Sequence, residues 1–535
     1  MLKFSSKYQF VKYFFLFLTM NGSLIYGQQE IVDTPLVKIE SGFLKGELKD
    51  AKNNLVVFKG IPYAKPPVGD LRWRAPQKED KWEGVKVCDS PGPICPQRVN
   101  GSGIQNMSED CLYLNIFSTN LNNEKKVPVM VWIHGGGLNM GTGIRENSDG
   151  SEFAKKGVVL VSLNYRLGQL GFLAHPELSA ESENGVSGNY GILDQILALK
   201  WIKKNISKFG GDPENVTIFG ESAGGTCVSV LCSSKQSKGL FHKAILQSPW
   251  MFGFMSNTAK PNITYLKKGI ANIPSAESLG LNWSKKYLTK KDTNTLKKLR
   301  ALDAKLITRD EPYYETRITV DGWLLEDFQE SVFMKGNQAD VPIIIGTNKD
   351  EGNYYWNFIK QKTISDITKS LESFYASRAE HISEFYFTNS YKSVKLAVSR
   401  YITDAWFLEP SLHLLKGMDN VSSQVYQYRF SVPNRKYPKL GAVHGAEIKY
   451  VFNNLNDTFK KKDYKVAENM ISYWVQFAKT GNPNKKGLNT WEPYDSKKNN
   501  FLDFTEMKSK IRNINAESQN QINQLRILKV KAYLK

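Results

Sequence analysis

The residues Gly220-Glu221-Ser222-Ala223-Gly224-Gly225 place one hydroxyl among neighbours of very little bulk, directly after the apolar stretch "VTIF". A strand that turns at once into a helix, with one side chain held up at the apex, needs such neighbours because a Cβ would clash there. The pattern G-x-S-x-G between a strand and a helix is the turn that presents a serine as nucleophile. A serine hydroxyl attacks only when a base removes its proton and when donors stabilise the oxyanion that develops. Both requirements can be sought elsewhere in the chain.

Another apolar run ends in His134-Gly135-Gly136-Gly137, whose backbone N–H groups are not shielded by side chains. Two of these donors, with the amide of Ala223, would form an oxyanion hole, each donor supporting about 3 to 4 kcal/mol of transition-state stabilisation. Of the six histidines, His444 in "KLGAVHGAEIKYVF" has small residues on either side, as a base on an accessible loop would. The imidazole needs a carboxylate to fix its tautomer. Asp350 and Glu351, in "VPIIIGTNKDEGNYYW", follow a buried run, and residue type alone leaves both open. Serine, then acid, then histidine is the chain order of one known hydrolase architecture.

The elements that must position these residues are short β-rich runs at 127–133, 157–165, 216–220, 243–248 and 341–348. Between them, "YGILDQILALKWIKKNI" repeats Ile192, Leu193, Ile196, Leu197 and Trp201 at helical spacing. Strands alternating with helices predict an α/β fold with a large, mostly parallel, twisted sheet flanked by helices. Chemistry in such sheets lies beyond the carboxyl ends of the strands. The 535 residues contain no internal repeat, low-complexity tract or linker-like stretch, so a single domain with insertions is expected over 28–535.

Residues 1–27 read as a secretory signal peptide: Lys3, Lys7 and Lys12 precede an apolar run from Tyr13 to Met20, and small and polar residues follow. The run is too short to span a bilayer, so no stable membrane insertion is expected, and cleavage is placed near Gly27. A secreted or periplasmic location makes disulfides possible. Five cysteines leave at least one unpaired; Cys227 and Cys232 fall on a predicted buried helix and are expected to behave as small apolar residues. The net charge of +20 comes from lysines scattered along the chain, with no nucleic-acid motif, and reads as a solvated surface rather than a nucleic-acid interface.

From about residue 33 to about 505 the sequence resembles the type-B carboxylesterase and cholinesterase family of α/β-hydrolases. The resemblance rests on "FKGIPYAKPPVGDLRWRAPQ", "SEDCLYLNIF", "HGGGL", "VSLNYRLGQLGFL", "GNYGILDQ", "FGGDPENVTIFGESAGG", "GTNKDEG", "VHGAEIKYVF" and "YWVQFAKTGNPN". It implies Ser222 as nucleophile, Glu351 rather than Asp350 as acid, His444 as base, and Gly136, Gly137 and Ala223 as oxyanion donors. It further implies a Cys95–Cys111 disulfide, ion pairs of Arg72 with Glu109 and Arg166 with Asp194, and a tuning role for Glu221. No metal or organic cofactor is implied.

The departures bear on substrate. Cholinesterases carry a tryptophan in the loop closed by the first disulfide, whereas the residues between Cys95 and Cys111 include no aromatic side chain. A choline ester is therefore not expected as specific substrate. Trp250, Phe252 and Tyr354 are candidate pocket residues, and Arg317 is a candidate for meeting an acidic substrate group. The expected function is a secreted serine carboxylesterase acting on a small-molecule ester, with activity falling as His444 protonates around or somewhat below neutrality. The alternatives are a catalytically silent adhesion or binding member of the family, or an amidase, lactonase or polyester hydrolase with the same triad.

Overall fold

A computed structural model describes residues 35–98, 106–121, 123–250, 263–269, 274–289, 294–309, 318–359, 363–375, 379–387, 393–506, 509–514, 520 and 522–526. The expected signal peptide, with its cleavage point near Gly27, lies outside the described residues, as do Phe252 and Arg317.

Strands of the main sheet are, in chain order, β1 (Glu47–Asp50), β2 (Leu55–Pro62), β3 (Tyr113–Ser118), β4 (Val127–Ile133), β5 (Val159–Leu163) and β6 (Gly211–Glu221). They continue with β7 (Lys243–Gln247), β8 (Ile343–Asn348), β9 (Val425–Phe430), β10 (Asn500–Phe504) and β11 (Lys510–Asn513). The spatial order of this 11-stranded sheet is β11-β10-β9-β8-β7-β6-β4-β5-β3-β2-β1. From β10 across to β5 every neighbouring pair is parallel, while β11 on one edge and β3, β2 and β1 on the other pair antiparallel.

The parallel centre is covered on both faces, and successive residues of one strand enter opposite cores. In β4, Val129, Val131 and Ile133 join one core while Met130 and Trp132 join the other. The helices Tyr190–Asn205 and Ala223–Ser233 cover the first face, through Ile192, Ile196, Ile202, Val228 and Leu231. The helix Lys461–Thr480 covers the second with Met470, Trp474 and Phe477. Complete burial of such side chains contributes about 1.5 to 3 kcal/mol each. Leu193 and Leu197, expected on the apolar stripe of their helix, are only partly buried, and Leu199 and Ile202 take the interior positions instead.

Cys95 and Cys111 form a disulfide, and Cys88, Cys227 and Cys232 are free and buried. Arg166 and Asp194 are paired in the interior, with Nη2 2.6 Å from Oδ1 and Nε 2.9 Å from Oδ2. Arg72 grips Glu109 through Nε at 2.8 Å and Nη2 at 2.5 Å. No helix among the described residues is long and apolar enough to cross a membrane.

Candidate active site

The strand β6 stops at Glu221, and the helix begins at Ala223, leaving Ser222 between them with φ 57° and ψ −124°. A non-glycine residue in such a conformation costs about 1–3 kcal/mol and persists only where its surroundings fix it. Here the Ser222 N–H donates to the Gln247 carbonyl at 2.9 Å, and the Ser222 carbonyl accepts from the Thr226 N–H at 2.9 Å. The new helix passes so close to β4 that a Cβ on Gly224 would stand 2.1 Å from the Ile133 carbonyl oxygen. The chain thus ends a buried strand on small residues because the turn leaves no volume for larger ones. Ala223 is the first helical residue, so its N–H has no partner within the helix.

Gly136 and Gly137 follow β4 on a loop that lines the same cavity as Ser222. Gly136 has φ +114°, and a Cβ on it would lie 2.0 Å from the Met140 carbonyl oxygen. The loop is held from outside by Gln97, whose Oε1 accepts from Gly141 N–H at 2.8 Å and whose Nε2 donates to the Gly141 carbonyl at 2.8 Å. Gln97 stands two residues after the disulfide's Cys95, so the bridge and the glycine loop are mechanically linked.

His444 lies on the loop after β9. Its Nδ1 is 2.6 Å from Glu351 Oε2, and Glu351 is fully buried. The other carboxylate oxygen of Glu351 accepts from the Ser248 hydroxyl and from the Asn348 N–H, each at 2.6 Å. Asp350 is turned away and accepts from the Ala442 N–H at 2.9 Å. The choice that residue types left open is thereby resolved geometrically: Glu351, not Asp350, meets the imidazole. The ring of His444 packs against Phe407 and Tyr355, with centroids 4.7 Å and 5.4 Å away. Phe407 reaches it from a π-helical turn over Thr403–Leu408, a local widening common at functional sites.

Nε2 of His444 makes no hydrogen bond and lies 3.3 Å from Glu221 Oε1, close enough for charge attraction though not aligned for a bond. Catalytic hydrogen bonds are often loose in unliganded sites and tighten when substrate binds. Glu447 forms a further layer, with Oε2 accepting from Asn348 Nδ2 at 2.6 Å and Oε1 from Gln247 Nε2 at 3.3 Å. Burial alone would lower the pKa of His444, but the carboxylates of Glu221, Glu351 and Glu447 outweigh it and raise it to about 9. Burial, reinforced by Glu447 and Glu351 and opposed by His444, raises Glu221 to about 8. The pKa of His444 is thereby raised well above the neutral range expected from sequence. His134, in contrast, is buried, stacks on Tyr165 with centroids 4.4 Å apart, and is lowered by burial to about 3. It is a neutral packing residue.

Ser222, His444, Glu221, Gly136 and Gly137 line one cavity of about 300 Å³, together with the expected pocket residues Trp250 and Tyr354. Trp250 is buried and Tyr354 is half-exposed. Tyr355, Arg145 and Asn147 also line it. A second cavity of about 300 Å³, bounded by Trp73, Tyr190 and Asp321, contains none of these groups. Among the described residues no cluster of His, Cys, Asp and Glu is arranged to hold a metal ion.

Sequence reasoning did not find Ser248, Glu447, Phe407 or Arg145. Ser248 carries φ 45° at the end of β7, and Glu447 follows His444 by three residues; neither stands in a pattern that marks chemistry. Phe407 and Arg145 reach the site only through the tertiary fold.

The carboxylesterase family model matches residues 33–523. The chain is 36% identical over 470 residues to a fumonisin B1 esterase of Sphingopyxis macrogoltabida, covering 84% of this chain and 83% of that protein. It is 34% identical over 479 residues to the para-nitrobenzyl esterase of Bacillus subtilis, covering 86% of this chain and 92% of that protein. A solved para-nitrobenzyl esterase structure superposes with a TM-score of 0.77 at 31% identity, over 92% of this chain and all of that one. With a large mixed sheet, a serine at a strand-to-helix turn and this breadth of similarity, the chain belongs to the carboxylesterase family of α/β-hydrolases and is a carboxylic ester hydrolase.

Proposed function

We propose that this protein is a secreted serine carboxylesterase that works through an acyl-enzyme on Ser222. His444 takes the proton of the Ser222 hydroxyl, and the oxygen attacks the ester carbonyl. The N–H groups of Gly136, Gly137 and Ala223 hold the oxyanion, and His444 returns its proton to the departing alcohol. Water then enters, loses a proton to His444, and releases the acid from Ser222. Glu351 holds the imidazole tautomer and stabilises the imidazolium, while Glu221 adjusts the affinity of His444 for its proton.

The observation that carries this reading is the contact of His444 Nδ1 with the buried Glu351 at 2.6 Å, with His444 and Ser222 lining one cavity. The same geometry would serve amide, lactone or polyester hydrolysis. The relatives are named as esterases, which favours the carboxylic ester.

The test is release of p-nitrophenol from esters running from acetate to palmitate, by wild type and S222A in parallel. Activity confined to wild type, with a mass increase on the Ser222 peptide after a short pulse of a slowly deacylating ester, is expected. Activity retained in S222A, or none in wild type, would overturn the proposal. Export is tested by sequencing the amino terminus of protein recovered from the medium or periplasm. The reading expects a start within a few residues of Gln28, and an intact amino terminus on cell-retained protein would refute it.

A further inference from the structure

Arginines in this chain are generally committed to carboxylates. Arg72 holds Glu109, Arg166 holds Asp194, Arg429 holds Asp503, and Arg435 holds Asp463 and Glu506. Arg145 departs from this pattern. Its side chain is exposed, it lines the cavity of Ser222 and His444, and among the described residues it makes no ion pair and no side-chain hydrogen bond.

The backbone that carries it is nevertheless fixed. Asn164 Oδ1 accepts from Thr142 Oγ1 at 3.1 Å and from Gly143 N–H at 2.8 Å, and the Arg145 carbonyl accepts from Ser148 N–H at 3.0 Å. The pinned backbone fixes where the side chain starts, and the planar guanidinium fork matches a carboxylate. The other groups whose charge bears on this cavity are Glu221 and His444, which face each other at 3.3 Å, with Glu351 and Glu447 buried behind them. An anionic group entering the site would be received at Arg145, which has no carboxylate partner, rather than at Glu221 and His444, which have each other, so the position of charge also sets the orientation.

Resting on the esterase reading above, we infer that the preferred substrates are esters bearing a free carboxylate on one half of the molecule, bound by Arg145 while Ser222 attacks the ester carbonyl. Arg317, a candidate from sequence for meeting an acidic substrate group, lies outside the described residues, whereas Arg145 stands on the glycine-loop side of the cavity.

Two matched substrate pairs test this. p-Nitrophenyl hydrogen glutarate against p-nitrophenyl pentanoate places the carboxylate on the acyl side; 3-acetoxybenzoate against phenyl acetate places it on the leaving group. In at least one pair, kcat/KM for the anionic member relative to the neutral one should fall about tenfold in R145Q, mainly through KM. R145K should keep part of the preference, and R98Q, outside the cavity, should leave it unchanged. A ratio unaltered in R145Q for both pairs overturns the inference, as does equal loss on anionic and neutral esters in R145Q and R145K alike. Failure of the catalytic reading shows separately, as absence of hydrolysis of either neutral ester by wild type. In that case calorimetric titration with glutarate still decides: binding to wild type that is lost in R145Q supports the inference, and equal or absent binding to both overturns it.

Discussion

His444 turns Nε2 toward Glu221, 3.3 Å from its Oε1, while Nδ1 is bonded to Glu351, so both nitrogens of the ring face carboxylates. Cation formation on the ring is favoured from both sides, in a site where burial would otherwise resist it. That relationship controls the pH behaviour.

In the proposed mechanism His444 must be neutral to accept the serine proton, and its pKa is raised to about 9. Activity is therefore lost as pH falls through that value, and kcat/KM should climb from pH 7 into the alkaline range. Because Glu221 is itself raised to about 8, the acid limb belongs to the pair rather than to either group. Replacing Glu221 by Gln removes one of the facing carboxylates, so the limb should move to lower pH. A pH profile of kcat/KM for both proteins checks this; superimposable profiles would show that Glu221 does not act on His444.

Glu351→Gln keeps the shape of the buried side chain but offers the wrong partner to Nδ1. By analogy with the acid of other serine triads, kcat should fall about ten-thousand-fold. Circular dichroism and the unfolding midpoint report whether the fold survives. A loss under tenfold would remove Glu351 from the triad.

Gly136→Ala forces a Cβ to 2.0 Å from the Met140 carbonyl oxygen and should displace one of the proposed oxyanion donors. Loss of one such donor lowers kcat about a hundred- to a thousand-fold. KM should change far less, because the donor acts on the oxyanion and not on the ground-state carbonyl. Steady-state kinetics on a p-nitrophenyl ester separates the two.

Asp194→Ala leaves Arg166 buried without its partner, since both side chains are almost fully enclosed. Stranding a buried charge in this way costs about 3 to 5 kcal/mol. The urea midpoint should fall sharply, and a double variant, R166M with D194L, should recover part of the loss.

Serine at Cys95 and Cys111 opens the bridge that closes the polar loop, with an expected loss of about 3 kcal/mol by the chain-entropy estimate. Gln97 ties this segment to the glycine loop through Gly141, so thermal inactivation should precede global unfolding. Parallel activity and circular-dichroism melts would show whether the two transitions separate.

The chemistry of this site was legible in sequence wherever geometry demands one residue type. Gly224 and Gly136 stand where a Cβ meets a carbonyl oxygen, so they mark the turn and the donor loop without reference to any distant residue. The strands β4, β5, β6, β7 and β8 were visible because burial on both faces requires unbroken apolar runs. β9 was not, since "VYQYRF" carries Gln427 and Arg429, and Arg429 is neutralised by Asp503 on the adjacent β10. Ser248 and Phe407 escaped for a related reason, since each meets Glu351 or His444 from a remote part of the chain, while Glu447, three residues after His444, stands in no pattern that marks chemistry. Arg145 resembles any surface arginine until the cavity is in place.

Glu351 draws its partners from segments that are distant along the chain: His444 and Glu351 are separated by 93 residues, and Ser248 and Glu351 by 103. They meet across strands that lie at the centre of the sheet, and such non-local pairings close slowly. In the proposed mechanism, no fragment short of β9 and its following loop can contain an activated serine. A chain in which that loop has not yet docked would therefore be chemically inert toward esters. Hydrolytic activity switches on only after the last central strand has docked, which makes ester turnover a direct clock for the completion of folding.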